Sequence, residues 1–245
     1  LLFVRRYMPE SVRYNINKGN VAEAEATVDH IERQALGRNL TPEEIKALPK
    51  LSADAQVTGK VPVAELLAPG RAKRTLLLWV VSFGFLWASN GILFMLPTIL
   101  QARGFPLSQI IVFMLVQAIF GFVGYSACGF LIDRFGRRPI LFLYYFVGAL
   151  FHWWFAEASG VWLYVAIAAV GWVNPGVYGG TAIYVGELHP TRMRATAVGW
   201  FFGIGRIGSF LAPAVVGFIL FYGYGQWVLH TFAFAYLVSS LALWL

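Results

Sequence analysis

Charge is scarce in this sequence and cysteine nearly absent. Charged side chains are 13% of 245 residues, while 58% are hydrophobic and 17% aromatic. A soluble domain carries about twice that share of charge. An ordinary soluble domain is therefore excluded, and a lipid bilayer is the expected solvent. The single Cys128 rules out an internal disulfide and reads as buried filler within an apolar run. There is no signal-peptide pattern, and no acidic residue follows Glu187. A membrane-bound enzyme needs a nucleophile motif, a metal cluster or paired carboxylates at one face, and none is visible. No catalytic residue, cofactor, metal or nucleic-acid partner is expected.

The charge that is present is segregated. Residues 1–75 hold 12 of the 19 Lys and Arg and 9 of the 12 Asp and Glu. The chain divides into a polar segment, 1–75, and an apolar domain, 76–245. A spanning helix needs roughly 20 mostly apolar residues. Six runs qualify, near 76–100, 110–132, 140–155, 162–185, 196–221 and 228–245. Lys and Arg accumulate in short cytoplasmic loops. Arg71, Lys73 and Arg74 precede the first run, "DRFGRR" follows the second and "HPTRMR" the fourth; the alternate connections carry only Arg103. Six spans with both ends of this sequence in the cytoplasm of a cell membrane are expected.

The polar segment has its own signals. "GNVAEAEATVDHIERQALG" places Val21, Ala24, Val28, Ile31 and Ala35 at helical spacing between two glycines. In "LTPEEIKAL", Thr41 is placed as an N-cap, Pro42 at the first helical position and Glu44 to complete a capping box. The sequence opens on "LLFV" with no initiator Met. We expect Leu1 to Val4 to end an earlier span, and the chain to be part of a longer protein.

"GWFFGIGRIGSFLAP" contains G-x-G-x-x-G at Gly203, Gly205 and Gly208. A dinucleotide fingerprint must follow a strand, open a helix and precede an acidic residue about 20 positions on. These glycines lie inside an apolar run with no acidic residue after them, so nucleotide binding is not expected. In a membrane helix small residues let backbones approach. Gly199, Phe202, Gly203, Arg206, Phe210 and Pro213 share one helical face. An arginine midway through a span costs about 2.5 to more than 10 kcal/mol unless it faces water or a partner. Glu157 and Glu187 lie near span ends, which leaves three readings for Arg206: a substrate carboxylate, an acidic side chain elsewhere in the longer protein, or snorkelling.

Other runs offer polar groups that lipid would not tolerate unpaired. Phe83, Trp87 and Asn90 fall on one stripe of the first, Gln117 lies in the second, and Asn174, Tyr178 and Thr181 share a face of the fourth near Pro175 and Gly176. Amides and aromatics around one cation describe a pocket for a small aromatic acid. His152 and His230 read as packed or interfacial.

"GFLIDRFGRRP", from Gly129 to Pro139, resembles the G-x-x-x-D-R-x-G-R-R signature of the major facilitator superfamily of secondary transporters. "MPESVRYNINKGNVAEAE" resembles that family's P-E-S-x-R segment after its sixth helix. "YVGELHPTRMRATAVGW" with "GIGRIGSFLAP" is similar to the organic-anion, aromatic-acid and NiaP-type niacin branch. The resemblance implies an all-α membrane protein: the C-terminal six helices of a twelve-helix fold, behind a central cytoplasmic segment. By that likeness Arg206 matches the arginine used for organic anions, and Tyr178 a pocket aromatic. It also implies that Asp133, Arg134, Arg137, Arg138, Glu187 and Arg194 form a cytoplasmic gate. The branch usually has a tyrosine pair where this chain reads Ser89-Asn90, so the stacking partner differs.

The expected function is proton-coupled transport of a small aromatic carboxylate by alternating access. Expected partners are that organic anion, protons, the bilayer and an N-terminal six-helix half that completes the cavity and carries the proton-bearing carboxylate. The alternative is a sugar or other neutral-solute porter, in which Arg206 is structural.

Overall fold

The computed structural model describes residues 11–41, 43–44 and 62–244, and all regular secondary structure among them is helical. Two compact units divide between residues 53 and 54.

In the first unit α1 (Val12–Asn17) and α2 (Val21–Leu36) pack against one another and bury Asn15 and Ala24. Gly37 ends α2 with φ of 71°, a left-handed conformation open to glycine, and returns its N–H to the Arg33 carbonyl. Val21, Val28 and Ile31 of the apolar stripe are exposed. The capping box at Thr41 is formed: the Thr41 N–H donates to Glu44 Oε2 at 2.8 Å, and the Glu44 N–H to Thr41 Oγ1 at 3.4 Å. Arg38 grips the same carboxylate with both terminal nitrogens, at 2.7 and 2.9 Å. Those Arg38 hydrogen bonds, followed by the Thr41 bonds, pull the Glu44 carboxyl down to about 2. Pro42, the rest of that helix and the expected span end at Leu1 to Val4 lie outside the described residues.

The second unit begins with α3 (Val63–Leu66), too short to be legible in the sequence. Leu66 is buried with Met193 and Ala197, and its carbonyl accepts from Thr75 Oγ1 at 2.8 Å. Six helices long and apolar enough to cross a membrane follow: α4 (Ala72–Ala102), α5 (Leu107–Phe135), α6 (Arg137–Glu157), α7 (Val161–Glu187), α8 (Thr191–Phe221) and α9 (Gly225–Trp244). Most overrun their apolar stretches by about a turn where the basic loops lie, because Arg and Thr are tolerated in helix ends. Gly136, with φ of 89°, makes the corner between α5 and α6. Pro175 lies within α7 without ending it.

Glycines set how closely the helices meet. A Cβ on Gly171 of α7 would lie 2.6 Å from the Gln117 carbonyl oxygen of α5, and one on Gly124 would collide with the Trp172 carbonyl. On α8, Gly205 abuts Ser82 and a Cβ on Gly208 would lie 2.7 Å from the Phe83 oxygen. Two glycines of the G-x-G-x-x-G stretch thus seat α8 on α4, whereas Gly203 has nothing within 4 Å of a Cβ. Only 22% of the most apolar window of α5 and of α8 is buried, against 44 to 56% in the other four. These two helices present the most surface to whatever surrounds the unit.

Candidate functional site

Helices α4, α5 and α7 enclose an open cavity of about 600 Å³. Asn90 comes from α4, Gln117 and Tyr125 from α5, and Asn174 and Tyr178 from α7. The close α5 and α7 approach at Gly121 and Gly171 makes its floor of backbone rather than bulky side chains.

The amides are not equivalent. Asn90 Nδ2 donates to Ser209 Oγ on α8 at 2.6 Å. Asn174 is 6% exposed, and its Oδ1 accepts the Tyr236 hydroxyl of α9. Its Nδ2 is buried with no hydrogen-bond partner among the described residues. An unpartnered buried donor costs about 1–3 kcal/mol, so this group marks where a ligand acceptor would be favoured. No side-chain hydrogen bond holds Gln117 among the described residues, although Gln109, about two turns earlier on α5, donates to Tyr164 at 3.0 Å.

Arg206 is exposed on α8 and, among the described residues, has neither a carboxylate within ion-pair range nor a hydrogen-bond acceptor. It does not line the amide cavity itself. Phe202 and Ser209, one turn before it and about one turn after, share its flank of the helix. The Phe202 ring lies 5.5 Å from that of Tyr178, and Ser209 bonds Asn90. Arg206 therefore stands on the flank facing two cavity residues. Gly199 and Gly203 leave open space on that helix.

Phe83 and Trp87 are not brought to the cavity. Helix α8 lies along the Ser82, Leu86 and Asn90 ridge of α4, with Ser82 Oγ bonded to the Phe201 carbonyl and Ser209 to Asn90. Ser89 and Leu93 fall on one flank of that ridge, while Phe83 and Trp87 fall on the other, stacked at 6.2 Å. They line a separate apolar groove of about 1080 Å³ with Trp79, Trp153 and Trp227. A helical stripe gives a direction from one axis; it does not reveal which neighbour will divide it.

At the end carrying the basic loops, Arg137 of α6 pairs with Glu187 of α7. Arg194 Nε donates to the Gly186 carbonyl at 2.8 Å and Arg74 to that of Leu188 at 3.4 Å. Arg138 binds the Leu243 and Trp244 carbonyls, matching a cation to the negative end of α9. Arg134 lies over the Phe135 ring at 5.6 Å. Asp133 and Arg137 line a recess of about 110 Å³ that shares Tyr125 with the amide cavity. Tyr125 thus borders both spaces; nothing in its sequence position singled it out.

At the opposite end, Arg103 donates to the Phe155 and Ala156 carbonyls at 3.3 and 2.9 Å, and burial pushes its pKa down. His152 is buried with Nδ1 on the Gly148 carbonyl at 2.7 Å, while His230 meets Glu157 at 3.2 Å. Among the described residues no three His, Cys, Asp or Glu side chains converge to hold a metal.

A polar cavity thus lies among helices long and apolar enough to cross a membrane, with paired charges at one end. Residues 1–245 match the family described as "Sugar (and other) transporter". The chain belongs to that family, within the major facilitator superfamily. The niacin transporter NiaP of Acinetobacter baylyi is 31% identical over 210 residues, 85% of this chain and 46% of that protein. The benzoate transport protein of the same organism is 25% identical, over 90% of this chain and 46% of its own length. The 4-hydroxybenzoate transporter PcaK of Pseudomonas aeruginosa is 26% identical, over 89% and 48%. The chain spans about half the length of these relatives. The family is one of transport proteins, not of enzymes.

Proposed function

We propose that this chain is the C-terminal six-helix half of a secondary transporter that carries a small aromatic carboxylate of the nicotinate or benzoate type by alternating access, coupled to protons. The observation that carries the reading is Arg206, a cation with no partner among the described residues, on the flank that faces an amide- and tyrosine-lined cavity. A planar guanidinium suits bidentate pairing with a carboxylate. Relatives named for niacin, benzoate and 4-hydroxybenzoate support the same substrate class.

In this reading Arg206 takes the carboxylate, Tyr178 packs on the ring, and Asn90, Gln117 and Asn174 meet its polar atoms. The Arg137–Glu187 pair and the Arg194 contact close the cytoplasmic end when the cavity opens outward, with Asp133 and Arg134 beside them. Arg138 acts by fastening α9. No acidic residue lies mid-span among α4 to α9, so the proton-bearing carboxylate belongs to the other half. A neutral solute is the second reading, since the family description includes sugars and amides also suit hydroxyl groups.

Reconstituted full-length transporter, offered radiolabelled acids and sugars with and without an imposed proton gradient, separates the two. Gradient-driven uptake of aromatic acids is expected. Uptake of sugars with no competition by acids overturns the assignment.

A further inference from the structure

On the flank of α4 away from the amide cavity lies a larger space, the apolar groove of about 1080 Å³. Helices α8 and α9 each pack along α4 but make little contact with one another, so α4 floors a furrow between them. Phe83 and Trp87 of α4, Ile204 of α8, and Phe234 and Val238 of α9 line it, and among the described residues no Lys, Arg, Asp or Glu does. Ile204 is two positions from Arg206 and therefore on the opposite side of α8.

The groove is as long as a bilayer is thick. Gly84 abuts Ala235 and Ser239 while Gly91 abuts Phe232, so α4 and α9 are antiparallel and Trp227 stands about level with Leu96. From Leu76 to that level is about 20 residues of helix, or about 30 Å at 1.5 Å per residue, which matches a hydrocarbon core. Tryptophans, which favour the two membrane interfaces, stand near both ends: Trp79, 5.8 Å from Trp200, towards the basic loops, and Trp153 with Trp227 at the other.

Three cations begin α4, and two are engaged. Arg71 reaches Met193 Sδ at 3.4 Å and Glu65 at 4.0 Å, and Arg74 donates to the Leu188 carbonyl at 3.4 Å. Lys73 is exposed, with no ion-pair or hydrogen-bond partner among the described residues. Leu76 and Val80, three and seven positions on, carry its helical stripe into the groove. A lysine so placed lays its stem on the apolar rim and its ammonium among headgroups. We infer that the groove is a phospholipid site: an acyl chain lies on α4 between α8 and α9, and the phosphate of an anionic lipid, in the leaflet on the side of the basic loops, pairs with Lys73. The stretch from Leu76 to Trp87, roughly 16 Å of helix, is the depth of one leaflet. In the proposed transporter the other half closes the Arg206 flank and leaves this one to lipid, whichever solute is carried.

The test is native mass spectrometry of the full-length transporter in detergent, equilibrated with equal amounts of a phosphatidylglycerol and a phosphatidylcholine that share the same acyl chains. The native protein retains phosphatidylglycerol in preference, and Lys73→Gln lowers that preference about fivefold, the worth of one basic side chain at an anionic surface, while phosphatidylcholine retention stays within about twofold. Arg74→Gln, which removes a cation already held by the Leu188 carbonyl, leaves the preference near native. Val80→Trp fills the groove at a position 43% exposed, so the protein stays folded, with its melting temperature near native, and retention of both lipids falls about threefold or more. Equal losses of preference in Lys73→Gln and Arg74→Gln would reduce the effect to general surface charge and overturn the inference. Lipid retention that Val80→Trp does not change overturns it as well, because the groove is then covered by protein.

Discussion

Replacing Arg206 by Ala asks whether its charge serves a ligand. Within this chain Arg206 is exposed and has no ionic partner among the described residues, so its removal breaks no contact that holds α8 to α4. That packing runs through Gly205, Gly208 and Ser209. The loss in binding therefore depends on how far the loaded cavity excludes water. A charge pair left in water is worth about 0–1 kcal/mol, whereas removing one partner of a desolvated pair costs about 2–5 kcal/mol. At about 1.4 kcal/mol per decade, the second case weakens binding roughly 30-fold to more than 1000-fold. We expect the second, because in the proposed transporter the other half would close over that flank. Arg206→Lys recovers only part, since a point charge lacks the planar fork. Gly203→Leu intrudes one turn away with nothing to collide with inside this unit, and should damage binding while the protein stays folded. The assay is equilibrium binding of the best acid and of its carboxamide. The amide binds poorly to native protein and loses little more in Arg206→Ala. Equal losses for acid and amide would refute the reasoning and make Arg206 structural.

Gly124→Ala should lower thermal stability in detergent by about 1–3 kcal/mol, because the added methyl collides with the Trp172 carbonyl and backbone must move; Gly203→Ala, in open space, should be neutral or slightly stabilising, and equal effects would undo the packing argument. Glu187→Gln should alter the transport rate only a few-fold and leave substrate affinity near native, since the Arg137–Glu187 side chains are 36% and 43% exposed and such pairs are worth about 0–1 kcal/mol; abolished binding would show that the pair shapes the site. In the first unit Glu44 is held near 2, below its ordinary value of 4.5, by Arg38 and Thr41. A lowered carboxylate stabilises above its unfolded pKa and loses that effect as pH falls through the folded one. The protection factor of the Thr41 amide should therefore be highest above about pH 4.5 and fall towards pH 2; an unchanged protection factor across that window would count against the capping box.

What the sequence could convey followed from the physics that writes each signal. Six apolar runs and the asymmetry of eight basic residues against Arg103 report the solvent of each segment, and each run became one helix. Hydrophobicity does not report where hydrogen bonding stops, so α8 begins at Thr191, not 196, and α6 at Arg137, not 140. The four-residue α3 carries no periodicity at all; its place depends on Leu66 meeting Met193 more than 120 positions later.

The site shows the same boundary from another side. Residue type marked Asn90, Gln117 and Asn174, because amides in lipid need partners, and the helical face shared with Asn174, with the family likeness, added Tyr178; the fold gathers all four at one cavity. Helical spacing also grouped Phe83 and Trp87 with Asn90, and there the deciding fact was α8 lying along Ser82, Leu86 and Asn90, a relation between two helices that neither sequence stretch contains. Tyr236 was missed for the complementary reason: it reaches the cavity residues only through its hydrogen bond to Asn174, and a buried tyrosine reads as ordinary packing. A single sequence exposes the groups a membrane cannot leave unpaired. It does not expose the groups that orient them.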